Sequence, residues 1–286
     1  MKAIHAVAAA VLLALTAGGV WTEAWSQSNY PDRPVRIFVG FSPGVAPDVT
    51  SRLLADKLTE AWGKPVVVEN VTGAGGNLAV ERLAKSPPDG YTLAMGGNAA
   101  LVINPNLYDK LAYDPLKDFS YISQVFIVPN ILVVTPDVPA KNIQELIALG
   151  KSKPGYLIAG HAGVGTSQHL GGELFMSMTG VKIQQVPYRG TTAVLPDLMA
   201  GRLNIFFGNI SNVLPLVREG KLRAFGITSR KRLPQIPELP TMEELGFSGF
   251  DATAWFGMMA PAGTPQPIIE KINAETRQFA ASPDVR

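Results

Sequence analysis

The chain has 286 residues, with 25 Lys and Arg against 23 Asp and Glu, and no Cys. The missing cysteine excludes disulfides, thiolate metal sites, cysteine nucleophiles and lipid attachment through an N-terminal cysteine. The cations are scattered and form no basic stripe, which excludes nucleic acid as a partner, and the length favours about two domains.

The first residues read as an address. Lys2 precedes an apolar run from Ala6 to Val20, and Ala24-Trp25-Ser26 offers small residues at the −3 and −1 positions of a cleavage site. Residues 1–26 therefore predict a secretory signal peptide, and with it a periplasmic location. The run is short for a membrane span, which needs roughly 20 apolar residues; an uncleaved anchor is the alternative.

Strand-like and helix-like segments alternate from Val35 onward. Val35 to Val39 is β-branched and bounded by Pro34 and Gly40, the pattern of a strand. Leu53, Leu54, Leu58, Ala61 and Trp62 share one helical face, and Gly63 with Pro65 stops that helix. Val66 to Val68 is a continuous apolar run, as in a strand covered on both faces. A helix from Asn77 to Lys85 and a strand from Tyr91 to Met95 follow. Later strands are predicted at Ile131–Val134, Tyr156–Ala159, Ile183–Val186, Leu203–Phe207, Leu222–Thr228 and Trp255–Met259. Asn142 with Glu145 starts one intervening helix, and Thr264-Pro265 starts another. Such alternation predicts an α/β chain with mainly parallel sheets flanked by helices. The stretches Asn104 to Pro129 and Arg230 to Asp251 read as loop-rich, and are where the chain would cross between two lobes. Residues 281–286 read as the start of a further helix, so the chain reads as a fragment.

Three turns carry the chemistry. Phe41, Ser42, Pro43, Gly44 and Val45 follow the first strand, where doubly wound sheets bind ligands; Asp48 could orient a ligand or cap the helix. Gly73-Ala74-Gly75-Gly76-Asn77 lacks the last glycine of G-x-G-x-x-G, where Leu78 stands, and no P-loop occurs. No nucleotide cofactor is therefore expected, and Gly76 belongs to an amide-lined anion cradle or to a plain tight turn. Gly163, Gly165, Thr166 and Ser167 join a later strand to a helix, and their hydroxyls and amides suit a carboxylate. The surrounding Gly165-Thr166-Ser167-Gln168-His169 is not G-x-S-x-G, so Ser167 is no nucleophile. His161 and His169 are too few and too poorly accompanied for a metal site. Arg189 could pair with a ligand carboxylate or lie on the surface. Asn98 and Asn209, beyond strand ends, complete the expected ligand-binding set.

These turns, in order with Tyr30-Pro31-Asp32-Arg33-Pro34-Val35-Arg36-Ile37, Pro88-Asp89-Gly90-Tyr91-Thr92-Leu93, Asn104-Pro105-Asn106-Leu107-Tyr108, Val186-Pro187-Tyr188-Arg189-Gly190 and Ala260-Pro261-Ala262-Gly263-Thr264-Pro265, resemble the tripartite tricarboxylate transporter receptor family, also called the Bug family. The resemblance implies a two-lobed periplasmic-binding-protein (Venus-flytrap) fold. Residues 30–128 plus 253–286 would form lobe 1, and 129–252 lobe 2. It implies a monomer without catalytic residues or cofactor that captures a small organic carboxylate and delivers it to the membrane subunits of a tripartite tricarboxylate-type transporter. It also places the ligand against Ser42 to Val45 with Asp48, and Gly163 to Ser167. The sequence departs from the family pattern at Val45, where a second glycine is usual, and at Asn204 and Gly208, where acids are often seen. Loss of those acids weakens the case for a cationic or amino-bearing ligand. A periplasmic sensor would use the same pocket, whereas an enzyme would need an activated nucleophile or an acid–base pair that the sequence lacks.

The leader makes a direct prediction. Mass spectrometry of periplasmic material is expected to find a mature N-terminus near Gln27; a full-length product confined to the cytosol would contradict it.

Overall fold

The computed structural model describes residues 29–282; the signal peptide predicted at 1–26 and residues 283–286 lie outside them. Two five-stranded sheets organise two lobes. In the first, β1 (Val35–Val39) sits between β2 (Val66–Asn70) and β3 (Thr92–Gly97), and β10 (Ala254–Pro261) and β4 (Phe119–Val128) complete the order β2-β1-β3-β10-β4. In the second, β6 (Leu157–His161) sits between β7 (Ile183–Pro187) and β8 (Ile205–Asn209), with β5 (Asn130–Val134) and β9 (Arg223–Ile227) beyond, in the order β7-β6-β8-β5-β9.

Each sheet is mixed. β1 runs parallel to β2 and β3, and β6 parallel to β7 and β8. β10 is antiparallel to β3 and β4, and β5 to β8 and β9. The reversed strands are the two that arrive from the other lobe. The chain leaves the first sheet at Pro129, between β4 and β5, and returns through residues 251–253 into β10. Strand–helix alternation reports only the parallel crossovers within a lobe; it carries no signal of the direction in which a crossing strand enters.

Helices cover both faces of each sheet, so period-two alternation puts apolar residues on both. Ile37 and Val39 pack with Leu54 and Leu58 of α1 (Ala46–Trp62) and Ile272 of α7 (Gln266–Ala281). Phe38, between them, faces Ala79 and Leu83 of α2 (Asn77–Ala84). In the second lobe Leu132 and Val134 meet Leu146 of α3 (Ile143–Ser152) and Phe175 of α4 (Ser167–Thr179). Ile131 and Val133 meet Val194 of α5 (Thr191–Met199) and Val213 of α6 (Ile210–Arg218). The stretch 230–251 forms no regular helix or long strand, yet it supplies Leu239, Met242 and Phe250 to the second lobe's cores.

The stretch from Asn104 to Pro129 is not the loop its prolines suggest, because it contains the ten-residue β4. β4 buries Phe119, Ile122, Val125 and Val128, a spacing of three. Register shifts against β10 explain it: Phe256 pairs with Phe126 and Gly257 with Gln124, then Met258 with Ser123 and Met259 with Tyr121. Val125 and Ile122 are the extra residues of two bulges, and each bulge resets the alternation.

Candidate functional site

A cleft of about 430 Å³, open mouth included, lies between the lobes at the carboxyl ends of their parallel strands. This is the crevice where open α/β sheets bind ligands. From the first lobe come Phe41 after β1, Val45 and Pro47 at the start of α1, and Asn98 and Ala99 beyond β3. From the second come Ala162 after β6, Thr166 to Gln168 at the start of α4, Thr191 at the start of α5, and Asn209 before α6. Ala254 and Phe256 of β10 form the floor.

Four α-helices, α1, α4, α5 and α6, thus begin at one cavity. The first amides of a helix lack intrahelical acceptors, and each N-terminus carries about half a positive charge. Among the described residues no charged side chain lines the cleft. The field there is positive without a cation, which suits a small anion.

Side-chain hydrogen bonds hold this arrangement. The Gln168 amide accepts from the Ala162 N–H at 2.9 Å and donates to Thr191 Oγ1 at 2.8 Å and Asn209 Oδ1 at 3.1 Å, tying three loops together. Thr166 caps α4: its hydroxyl donates to the Gly163 carbonyl at 2.7 Å and faces the His169 N–H. Ser167 lines the cavity with a hydroxyl that has no hydrogen-bond partner among the described residues. His161 and His169 lie side by side, 4.6 Å between ring centroids, and their Nδ1 atoms accept from the Gly163 and Gly165 amides. Burial lowers the pKa of both below the ordinary imidazole value. They stay neutral acceptors that shape the loop, and no group of acids or histidines able to hold a metal occurs among the described residues.

Asp48 sits behind the cleft rather than in its lining. It is 2% exposed, and its carboxylate accepts from the Gly44 N–H at 2.8 Å, Asn70 Nδ2 at 2.8 Å and Arg52 Nε at 3.1 Å. Burial acts to raise its pKa, but the bonds from Arg52, Gly44 and Asn70 prevail and hold it below the ordinary carboxylate value. Its work is to fold the turn, with Pro43 and Gly44 exposed on the outside. Gly76 packs beneath the Phe41 ring, and a Cβ on Gly40 would stand 2.6 Å from the Gly76 Cα, so the first two turns need glycine where they touch. Arg189 is exposed and stands outside the lining. Gln168, Thr191 and Phe256 enter the cleft without having been singled out for it from sequence. For Gln168 the position after Thr166-Ser167 was a usable signal.

The lobes meet through glycines. A Cβ on Gly163 would come 3.0 Å from the Gly75 nitrogen, one on Gly165 2.0 Å from Asn104 Oδ1, and one on Gly190 2.5 Å from Ser42 Oγ. Gly163, Gly165 and Gly190 belong to the second lobe, and their partners to the first.

A profile described as the tripartite tricarboxylate transporter family receptor matches residues 50–286. The R. palustris protein Rpa4515, solved with adipate, is 36% identical and superposes with a TM-score of 0.86, over 90% of this chain and 86% of that one. MatC from Rhodopseudomonas palustris, solved with bound malate, is 35% identical with a TM-score of 0.83, over 90% and 87%. The periplasmic binding protein BugD is 35% identical with a TM-score of 0.84, over 90% and 85%.

Asp48→Ala is expected to destabilise the protein by roughly 2–3 kcal/mol, as for loss of hydrogen bonds to a charged group. Because the folded-state pKa is depressed, this contribution is complete above the ordinary carboxylate value of about 4 and fades as pH falls through the folded value. Urea denaturation of the two proteins is therefore expected to differ at pH 7 and converge in acid. Equal midpoints at pH 7 would contradict the role given to Asp48.

Proposed function

The chain belongs to the tripartite tricarboxylate transporter receptor family, a family of solute-binding receptors, and from that premise we propose that it captures a small organic carboxylate between its lobes in the periplasm and delivers it to the membrane subunits of a tripartite transporter. The observation that carries this reading is the convergence of four helix N-termini on a cleft lined by no charged side chain. A carboxylate brings the negative charge that such a site lacks, and its two oxygens accept several hydrogen bonds at once. Adipate and malate in the related structures support the class, and the leader at residues 1–26 supports export.

The ligand-binding groups under this reading are the amides at the starts of α1, α4 and α5 and the hydroxyls of Ser167 and Thr191. Phe41, Val45 and Asn98 shape the first lobe's side. Gly163, Gly165 and Thr166 build the loop from which Ser167 projects, while Asn209 holds Gln168 in place. Ser42 serves at the meeting of the lobes, and Gly76 seats the Phe41 ring from within the first lobe. The lobes hinge at Pro129 and residues 251–253, since a few residues at element ends suffice for such motion. One chain supplies both walls of the cleft, so this reading needs no second copy to complete the site.

A carboxylate panel tested by calorimetry is the decisive experiment, and a panel in which nothing binds would overturn the reading. Ser167→Ala is expected to weaken a bound carboxylate by roughly 10- to 100-fold, the equivalent of about 1.5–3 kcal/mol for one hydrogen bond to a charged group. Thr166→Ala is expected instead to lower thermal stability by about 1 kcal/mol, as loss of an N-cap does.

Gly190 tests closure. Its φ of 169° is extended backbone open to any residue. The Ser42 side chain can rotate away from an alanine, but the branches of a valine also meet Ser42 Cβ, 3.6 Å from the Cβ position. Gly190→Val is expected to fold, to bind the carboxylate at least tenfold more weakly, and to lose the ligand-induced fall in radius of gyration seen by small-angle scattering. Adding Ser42→Gly is expected to restore both. Undiminished affinity and compaction in Gly190→Val would show that the lobes do not need this contact.

A further inference from the structure

We propose that the cleft selects carboxylates with an apolar carbon skeleton, and rejects counterparts of the same skeleton that carry an ammonium or hydroxyl group. This rests on the receptor reading above and narrows it.

The first ground is the wall. Phe41, Val45, Ala99, Ala162, Ala254 and Phe256 bring apolar side chains from both lobes into the lining. The wall is also rigid. Phe41 meets Phe256 edge to face with centroids 5.5 Å apart, and Phe256 stacks on Phe126 at 5.0 Å. Val45 is 5% exposed and stands at the N-cap of α1 without a side-chain capping bond. Ser, Thr, Asp or Asn would serve that cap better; valine forgoes the cap and adds apolar surface to the cavity.

The second ground is the shortage of acceptors. An ammonium presents N–H donors that need oxygens. Both Asp48 oxygens are engaged outside the lining. Gln168 Oε1 already accepts from the Ala162 amide, and Asn209 Oδ1 from Gln168. The Thr166 hydroxyl is committed to the Gly163 carbonyl. Asn98 donates through Nδ2 to the Thr253 carbonyl, which leaves its Oδ1 as one neutral acceptor. The helix-start amides only donate, the Thr191 oxygen already accepts from Gln168 and leaves its proton to donate, and the Ser167 hydroxyl can do either. The acceptors left at the cavity are thus few and neutral, and among the described residues no carboxylate lines it. A hydroxyl or ammonium on the skeleton would be stripped of water against the apolar wall with only these neutral oxygens to replace it. Such a stranded group weakens binding by roughly tenfold or more.

Calorimetry on the purified chain with two matched sets tests this: succinate, malate and aspartate, and adipate with 2-aminoadipate. The unsubstituted acid of at least one set is expected to bind at least tenfold more tightly than its substituted counterparts. Malate, aspartate or 2-aminoadipate binding as well as its parent acid would overturn the selection while leaving the receptor reading intact. No binding by any acid would overturn both. Val45→Ser is a second arm. Serine suits the N-cap, so the free protein is expected to melt no lower than the wild type. The discrimination against hydroxyl and ammonium groups is expected to shrink at least threefold. Unchanged discrimination in this folded variant would remove Val45 from the selecting wall.

Discussion

Asn130 is the residue on which the two-lobed arrangement turns. It is fully buried immediately after the first crossing at Pro129, and all four of its polar groups are engaged. Its N–H donates to Thr228 Oγ1 and its carbonyl accepts from the Thr228 N–H, both at 2.9 Å. Its side-chain Nδ2 donates to the Ala252 carbonyl at 2.9 Å, and Oδ1 accepts from Asn209 Nδ2 at 2.7 Å. Ala252 lies in the returning crossing, and Asn209 holds Gln168 at the cleft. One side chain therefore joins both connections between the lobes to the binding wall. A buried polar group left unpaired costs about 1–3 kcal/mol, so this set of bonds fixes where the chain leaves one sheet and enters the other. The positions of the helix starts around the cleft follow from that.

The cleft's electrostatics follow from topology as well. Parallel strands deliver their connecting helices with amides toward the crevice, and two lobes facing each other bring four such ends together. The one buried acid nearby, Asp48, is neutralised by its own turn through Arg52, Asn70 and Gly44. That leaves the helix-start amides, the Ser167 hydroxyl, which has no partner among the described residues, and the Thr191 hydroxyl, whose oxygen accepts from Gln168 and whose proton is left to donate, as the polar donors that face the cavity. The same economy accounts for the histidines, which serve the loop amides of Gly163 and Gly165 as acceptors.

Much of this was legible in the residues. The β-branched runs located the strands flanked by helices on both faces, and two of the three glycine turns, those after β1 and β6, lie at the cleft. β4 was hidden because its two bulges turn an alternating pattern into a spacing of three, which matches neither strand nor helix templates. The reversal of β5 and β10 was hidden because direction on arrival from another lobe leaves no mark in local sequence. Within the site, the turn chemistry pointed to Val45 and Ser167 but not to which atoms are already engaged. By residue type alone, Asp48 and Thr166 are well suited to hydrogen-bond a ligand; in the fold, Arg52, Gly44, Asn70 and the Gly163 carbonyl claim them first. Phe256, distant in sequence from every turn, reaches the cleft through sheet order alone.

Under the proposed hinge motion, the glycine contacts and the cleft together give a physical reason for closure to wait for a ligand. Where Gly165 meets the first lobe, it meets Asn104 Oδ1, a fully buried oxygen with no hydrogen-bond partner among the described residues. The Asn104 amide is held from behind, since its Nδ2 donates to Asn77 Oδ1 at 2.7 Å, an atom that also accepts from Tyr113 at 2.9 Å. The oxygen therefore points at the second lobe. With the lobes apart, water serves it; with the lobes together, it is covered by a glycine Cα that is a weak donor at best. Closing also takes the helix-start amides out of water. Both terms oppose closing on an empty cleft, and an anion offsets the second by accepting from those amides. A ligand shifts such an equilibrium only by its differential affinity for the two forms. Here the difference arises because the amides of both lobes reach one carboxylate ligand only in the closed form.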